Sequence, residues 1–313
     1  MSMAAHEPVP DVSLLIVSWN TRSLTQACLH SIPDSVAEGT TMETIVVDNA
    51  SIDGSREMLR GAERVVLLEN EQNLGFAVAV NQAFARSSGR FVLLLNSDVE
   101  LARGSIGVLL RFLEERPEAA GVGPLYLNAD GSVQHHHYRF PTFAMTLAAS
   151  SGIVRGLPWF KRALRSYEMR DDGFSAPRPV PQPSASCLLL RRSLLPSGPL
   201  MDERFPIYFN DVVLAHRVAR HGELWMTPEA KVIHAHGAST RLLGGGLKRQ
   251  HLASLVRYLE LREPRSRLAL FRVVVFLQKL ALWALRRPGA MSFRDLVAGL
   301  RGDPGALPQS PSA

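Results

Sequence analysis

Cysteine is almost missing from this 313-residue chain: Cys28 and Cys187 are the only two, and both sit inside apolar patterns. Such a pair suggests no disulfide framework, and reduced thiols in a cytoplasmic protein are the simpler reading. The first ten residues, MSMAAHEPVP, lack the basic start and apolar core of a secretory signal, so none is expected. The apolar stretch between Arg265 and Arg286 is too often interrupted by charge to span a bilayer. Glycine is missing where a dinucleotide-binding fold needs it, because the turn after the first apolar run reads Ser18-Trp19-Asn20-Thr21-Arg22. No Walker A loop occurs either. Apolar residues at 46% and charged ones at 20% describe an ordinary globular protein. With 35 basic against 29 acidic residues the net charge is +6. That balance favours acidic ligands or surfaces; nucleic acid is not among the expected partners.

The chain does contain a series of short apolar runs that stop abruptly in polar residues. Phe91 to Leu95, closed by Asn96-Ser97-Asp98, reads as a central strand covered on both faces. Val12 to Ser18, Glu43 to Asp48 and Arg64 to Glu69 are further strands, with helices expected at 22–31, 56–60 and 76–86. Strand–helix alternation at this spacing predicts an α/β fold with a mostly parallel sheet and right-handed crossovers. In such sheets ligands bind at the C-terminal ends of the strands. After a helix at 104–115 and a strand at 120–126, residues 132–183 lose periodicity, an excursion long enough to suggest function or mobility. His135, His136 and His137 lie in it. Neighbours on extended chain point to alternate sides, so a solvated loop is favoured over a metal site. Order returns with strands at 184–190, 224–227 and 231–234, and a helix from Asp211 to about His221.

Asp48, Asp98, Asp211 and His234 each end an apolar run. A divalent cation beside a diphosphate would account for Asp98 and His234, since hard cations use few protein carboxylates and fill the rest with phosphate and water. The imidazole tilts the choice toward Mn²⁺ without excluding Mg²⁺. Asp211 could equally be a helix N-cap.

With these motifs in order (VSLLIVSWN, IVVDNASIDGS, NEQNLGFAVAVNQAF, FVLLLNSDVEL, LYLNADGSVQ, MDERFPIYFNDVVLAHRVARHG and AKVIHAHGAST), the chain resembles the family 2 glycosyltransferases with the GT-A fold. The bacterial rhamnosyltransferase-like branch is the most similar. The resemblance runs from about Val12 to Thr240. It implies an inverting, metal-dependent transferase, with Ser18, Trp19 and Asp48 on the nucleobase and Asn73, Gly75 and Asn81 on the nucleotide sugar. Asn96-Ser97-Asp98 would occupy the Asp-x-Asp position, Asp98 and His234 would hold the metal, and Asp211 would be the catalytic base. The implied donor is dTDP-L-rhamnose and the implied acceptor a cell-envelope glycan or lipid-linked glycan. A UDP-sugar-dependent galactofuranosyl or N-acetylhexosaminyl transferase, or an inactive nucleotide-sugar-binding module, are the alternatives.

The chain departs from the family pattern in four places. Asn96 replaces an aspartate and keeps an acceptor oxygen without the charge, as is usual in that branch. Asn210 and Val213 stand where relatives often carry acids, and Ser184-Ala185-Ser186 replaces a small-residue turn. The expected domain plan is a tail at 1–10, a catalytic domain at 11–245, a helical extension at 246–290 and a disordered tail at 291–313. Arg265, Arg272, Lys279 and Arg286 recur every seven residues, which keeps them on one helix face. Beside Phe271, Phe276 and Trp283 they suggest a helix lying on an anionic membrane surface, peripheral to the inner face of the cytoplasmic membrane; packing on protein is the alternative.

Overall fold

A computed structural model describes residues 9–151, 157–170, 173–235, 247–284, 291–307 and 309. Strands β1 (Val12–Ser18), β2 (Met42–Asp48), β3 (Val65–Glu69) and β4 (Phe91–Asn96) pair in parallel in the order β3-β2-β1-β4. Helices α1 (Arg22–Ser31), α2 (Ser55–Arg60) and α3 (Phe76–Arg86) form the crossovers. The strands are apolar on both faces because helices cover both. Leu14 and Ile16 of β1 and Leu93 and Leu95 of β4 join one core. Leu15, Val92 and Leu94 join the other, with Ala77, Ala79, Val80 and Ala83 of α3. These alternate exactly as period-two side chains must.

The register is the feature that matters most for function. Ser18 pairs with Asp48, and Val17 with Asn96, so three apolar strands give way to polar residues at one level.

Beyond β4 the chain runs through β5 (Val99–Leu101), α4 (Ser105–Glu115) and β6 (Ala119–Leu127). The stretch at 132–183 holds β7 (Val133–Gln134), β8 (His137–Tyr138), α5 (Phe143–Ser151), α6 (Pro158–Tyr167), β9 (Arg178–Pro179) and β10 (Gln182–Pro183). It is therefore a chain of short elements anchored to the main sheet: β7 pairs with β6, β9 with β12 (Glu223–His234), and β8 with β10. Strand β11 (Cys187–Arg191) inserts antiparallel between β4 and β6, and β12 completes the sheet beside β6 and β5. Both cysteines are buried and unbridged.

Helix α7 (Asn210–Val218) leads into a third core shared with α8 (Leu247–Arg262), α9 (Arg265–Ala284) and α10 (Phe293–Leu300). Two expectations need correction here. The stretch at 291–313 is not wholly disordered: Ser292 caps α10 by accepting from the Asp295 N–H, and Leu296 and Leu300 bury against the third core. The seven-residue basic stripe is not a free face either. Arg272 donates to the Leu300 carbonyl (2.9 Å) and to Glu260 (2.6 Å), and Leu268, Phe271 and Val275 on the same helix are buried. Arg286 and the expected boundary at 245 lie outside the described residues. Among those described, no helix is long and apolar enough to cross a membrane.

Replacing Leu296 by Ala should lower unfolding free energy by about 2–4 kcal/mol, the cost of a cavity in a packed core. Chemical denaturation measures it; a change within about 0.5 kcal/mol is what a solvated tail would give.

Candidate active site

At the polar ends of these strands lies a cavity of about 560 Å³. Its lining includes Trp19, Asn49, Asn73, Gly75, Asn96, Ser97, Asp98, His136, Tyr138, the 184–186 turn, Asp211 and His234. The topology thus brings β1, β4, β11, β12, α7 and the 132–138 segment to one place.

Asp98 and His234 face each other, with His234 Nε2 3.4 Å from Asp98 Oδ1. The ring's tautomer can be read from its other side. Gln134 Nε2 donates to Asn128 Oδ1 (2.8 Å) and to the His234 carbonyl (3.2 Å), which leaves Gln134 Oε1 toward His234 Nδ1 at 2.9 Å. An amide oxygen only accepts, so Nδ1 carries the proton. Nε2 then faces the Asp98 carboxylate, where a cation between them would meet one nitrogen and one oxygen ligand. Asn96 lines the same cavity. Its Nδ2 donates to Ser186 Oγ (3.2 Å), while its Oδ1 is buried without a partner among the described residues. Among the described residues no group of three or more His, Cys, Asp or Glu side chains could hold a metal. A cation here would therefore draw most of its ligands from a diphosphate and water.

Asp211 sits at the start of α7, after Phe209, whose φ of 63° is a left-handed backbone unusual for an aromatic residue. Asn210 fixes this turn: its Nδ2 donates to the Ile207 carbonyl (2.8 Å) and its Oδ1 accepts the Asp211 N–H (2.7 Å). Asp211 accepts from the Val212 N–H (2.8 Å) and Gln182 Nε2 (3.4 Å). Burial raises its carboxyl above the ordinary range, the Val212 and Gln182 hydrogen bonds opposing.

The loop carrying Asn73 and Gly75 is organised by Asn49. Asn49 Nδ2 donates to Asn73 Oδ1 (3.0 Å) and the Gly75 carbonyl (3.3 Å), and its Oδ1 accepts from Asn70 (3.0 Å) and the Leu74 N–H (3.2 Å). Gly75 has φ 87° and ψ 164°, essentially a glycine-only conformation. A Cβ there would also come within 2.9 Å of Leu307 and 3.1 Å of Pro206. The C-terminal segment itself reaches this loop: the Asn73 N–H donates to Gln309 Oε1 (2.7 Å) and Gln309 Nε2 to the Asn73 carbonyl (3.1 Å).

Three residues expected at the donor lie outside the cavity lining. Ser18 is buried behind it among Thr21 and Thr25 hydroxyls, the Thr21 hydroxyl continuing to Ser97 at 3.1 Å. Asp48 is fully buried; one oxygen accepts from the Ser51 N–H (2.9 Å) and Arg56 Nε (3.0 Å), and the other has no partner among the described residues. Asn81 uses both ends of its amide on the backbone of Met201, Nδ2 donating to the carbonyl (3.0 Å) and Oδ1 accepting the N–H (2.8 Å). It braces the segment before α7 rather than facing a ligand.

Conversely, Asn49, Gln134, His136 and Tyr138 were missed as site residues. The histidine triplet is not a solvated loop. Alternation holds, but both sides are walled: His136 packs on Tyr126 and His234 (ring centroids 5.0 and 4.8 Å), while His135 and His137 meet Phe174. His137 Nε2 bonds the Pro124 carbonyl at 3.0 Å, and burial pulls its pKa down to about 4.

Residues 13–195 match the family model described as Glycosyl transferase family 2. The N-acetylglucosaminyl-diphospho-decaprenol L-rhamnosyltransferase of Mycobacterium tuberculosis (strain CDC 1551 / Oshkosh) is 30% identical over 221 residues, covering 66% of this chain and 70% of that protein. The putative teichuronic acid biosynthesis glycosyltransferase TuaG of Bacillus subtilis is 35% identical over 111 residues, 34% of this chain and 43% of that one. Two solved structures share the fold, each with a TM-score of 0.55. The mannosyltransferase PcManGT from Pyrobaculum calidifontis, in complex with GDP-Man and Mn²⁺, is 16% identical and aligns over 95% of this chain and 87% of its own. GalNAc-T7 with UDP, GalNAc and Mn²⁺ is 18% identical, over 81% of this chain and 48% of its own.

The buried imidazoles make acid stability a test of the wall around this cavity. A histidine with a folded pKa near 4 and an unfolded one near 6.5 stabilises the fold above pH 6.5 and ceases to as pH falls toward 4. The thermal midpoint should decline through that window. His137→Gln should flatten the slope whatever it does to the midpoint itself; an unchanged slope would mean that His137 is solvated.

Proposed function

This chain belongs to glycosyl transferase family 2 and has the GT-A fold, and on that premise we propose that it transfers a sugar from a nucleoside diphosphate to an acceptor hydroxyl with inversion at the anomeric carbon. The observation that carries the reading is a single cavity holding both Asn96-Ser97-Asp98 with His234 and the half-buried carboxylate of Asp211. One group suits a diphosphate, the other a hydroxyl proton.

Asp98 and His234 would hold a divalent cation, Mg²⁺ or Mn²⁺, whose charge offsets that gathering on the departing diphosphate. The two solved neighbours contain Mn²⁺, which supports this choice. Trp19, Asn73 and Gly75 bound the nucleotide side of the cavity. The acceptor hydroxyl attacks from the face opposite the diphosphate and gives its proton to Asp211. Burial makes Asp211 a stronger base than a free carboxylate, which favours proton transfer near neutrality. The donor is dTDP-L-rhamnose and the acceptor a lipid-linked glycan of the cell envelope, reached from the inner face of the cytoplasmic membrane. Likeness to a mycobacterial protein named for L-rhamnosyl transfer and a diphospho-decaprenol supports both.

EDTA, or Asp98→Ala, should weaken binding of the nucleoside diphosphate at least tenfold by calorimetry. Equal affinity under both treatments would remove the cation from the site.

Asp211→Asn keeps shape and capping but cannot take a proton, so turnover should fall on the order of 10²- to 10⁴-fold with nucleotide affinity retained. The raised pKa fixes the sign of two pH effects. The acid limb of kcat/KM should lie above the ~4 of a free carboxylate. Because an ionised Asp211 opposes folding, the Asn variant should melt no lower than wild type at neutral pH, any gain fading as pH falls through the folded pKa. Near-normal turnover would exclude Asp211 as the base.

A further inference from the structure

Helix α6 is the part of the 132–183 stretch that the cavity does not use. Its sequence, PWFKRALRSY, contains three basic residues and no acidic one. Phe160 is buried, and Leu164 and Tyr167 on the same face are partly so. Everything on the outward arc faces solvent: Lys161, Arg162, Ala163, Arg165 and Ser166 are exposed, with Trp159 56% and the preceding Leu157 43% accessible. At helical spacing Lys161, Arg165 and Arg162 run together along one flank, and Trp159 and Ala163 follow directly beside them. A half-exposed indole and a leucine next to three cations is the composition of a surface that meets anionic headgroups, where Trp sits at the boundary between water and lipid.

The helix is also fastened to the cavity. The Arg139 N–H donates to the Tyr167 carbonyl (2.9 Å), Arg139 Nε donates to the Ser166 carbonyl (3.1 Å), and the Tyr167 ring lies 5.5 Å from that of Tyr138. Tyr138 lines the cavity that holds Asp211. A membrane held by α6 would therefore lie against the element that walls the base.

We propose that α6, through Lys161, Arg162, Arg165 and Trp159, docks the protein on an anionic membrane surface and so presents the cavity to a lipid-linked acceptor. The assignment rests on the lipid-linked reading of the acceptor given above. The surface is a different one from the basic stripe along α9, lying on the helix that is fastened to the 138–139 wall of the cavity. α9 does expose an apolar ridge, Leu270, Val273 and Leu277, and it serves as the comparison.

The test is co-sedimentation of the full chain with vesicles of phosphatidylcholine alone and of phosphatidylcholine with an equal part of phosphatidylglycerol. Wild type should bind the anionic vesicles and be released by salt. The variant K161E/R162E/R165E should lose roughly a hundredfold or more in partitioning, from about fivefold per basic residue near the surface. Trp159→Ser should weaken binding by about tenfold. Nucleoside-diphosphate binding should be unaltered in both variants, which shows them folded.

Failure of wild type to bind anionic vesicles at low salt overturns the proposal, as does equal binding to phosphatidylcholine alone. So does retention by the triple variant, and loss in Val273→Ser/Leu277→Ser instead would move the surface to α9. If the triple variant converts an oligomer to a monomer without affecting vesicle binding, α6 meets a second copy instead. Vesicle binding needs no turnover. Binding without transfer to any lipid-linked acceptor removes the proposed function, and transfer without binding removes the role of α6.

Discussion

Three parallel strands that lose their apolar character at the same level set the position of everything else in the cavity. The β2–β1–β4 register pairs Ser18 with Asp48 and Val17 with Asn96, and a slip of one residue would turn every side chain of a strand to the other face. Because each of these strands is packed on both sides, no such slip is tolerated. Trp19, Asn49 and Asp98 therefore emerge at one edge without any dedicated scaffold. The polar edge is a by-product of two apolar cores ending together.

The other wall is held differently. β11 enters antiparallel against β4, and the Ser186 carbonyl accepts the Asn96 N–H at 2.8 Å. The left-handed Phe209 and the raised carboxyl of Asp211 both oppose folding, and they are tolerated because α7 is clamped between the sheet and the third core. The side that suits a diphosphate rests on the ends of parallel strands, and the side that suits a hydroxyl proton on the start of a helix that follows a left-handed residue. A charged leaving group needs fixed ligands, whereas a base gains strength from being held where its charge is poorly solvated.

The central sheet was legible because doubly covered strands announce themselves as unbroken apolar runs, as in FVLLL and SLLIV. Asp98, Asp211 and His234 were legible as polar stops on such runs. What could not be read was anything decided by distant partners. Strands β7 and β8 have two residues each, too few for a period, and the burial of His136 follows from their pairing with β6 and β10. Asn49 looked like turn chemistry because its four contacts lie more than twenty residues ahead. Asn81 and Arg272 carried residue types and spacings that suit a ligand or a membrane, yet both are spent on backbone carbonyls of their own chain. Ser292, Asp295, Leu296 and Leu300 form a capped, two-turn apolar pattern that composition alone obscured under a Pro- and Gly-rich tail.

The order of strands in the sheet also differs from their order in the chain, and this has a consequence during synthesis. β4 pairs on one side with β1 but on the other with β11, so Leu95 meets Cys187 only after some ninety further residues. At roughly 5–20 residues per second, β4 waits on the order of ten seconds on the ribosome with one edge unpaired. That edge is FVLLLN, without a proline or a charge to protect it. The nascent N-terminal half is thus a template for strand addition until its own β11 emerges. Slower growth temperature, chaperone supply and codon usage between the two segments become determinants of yield in a way that no property of the finished protein would suggest.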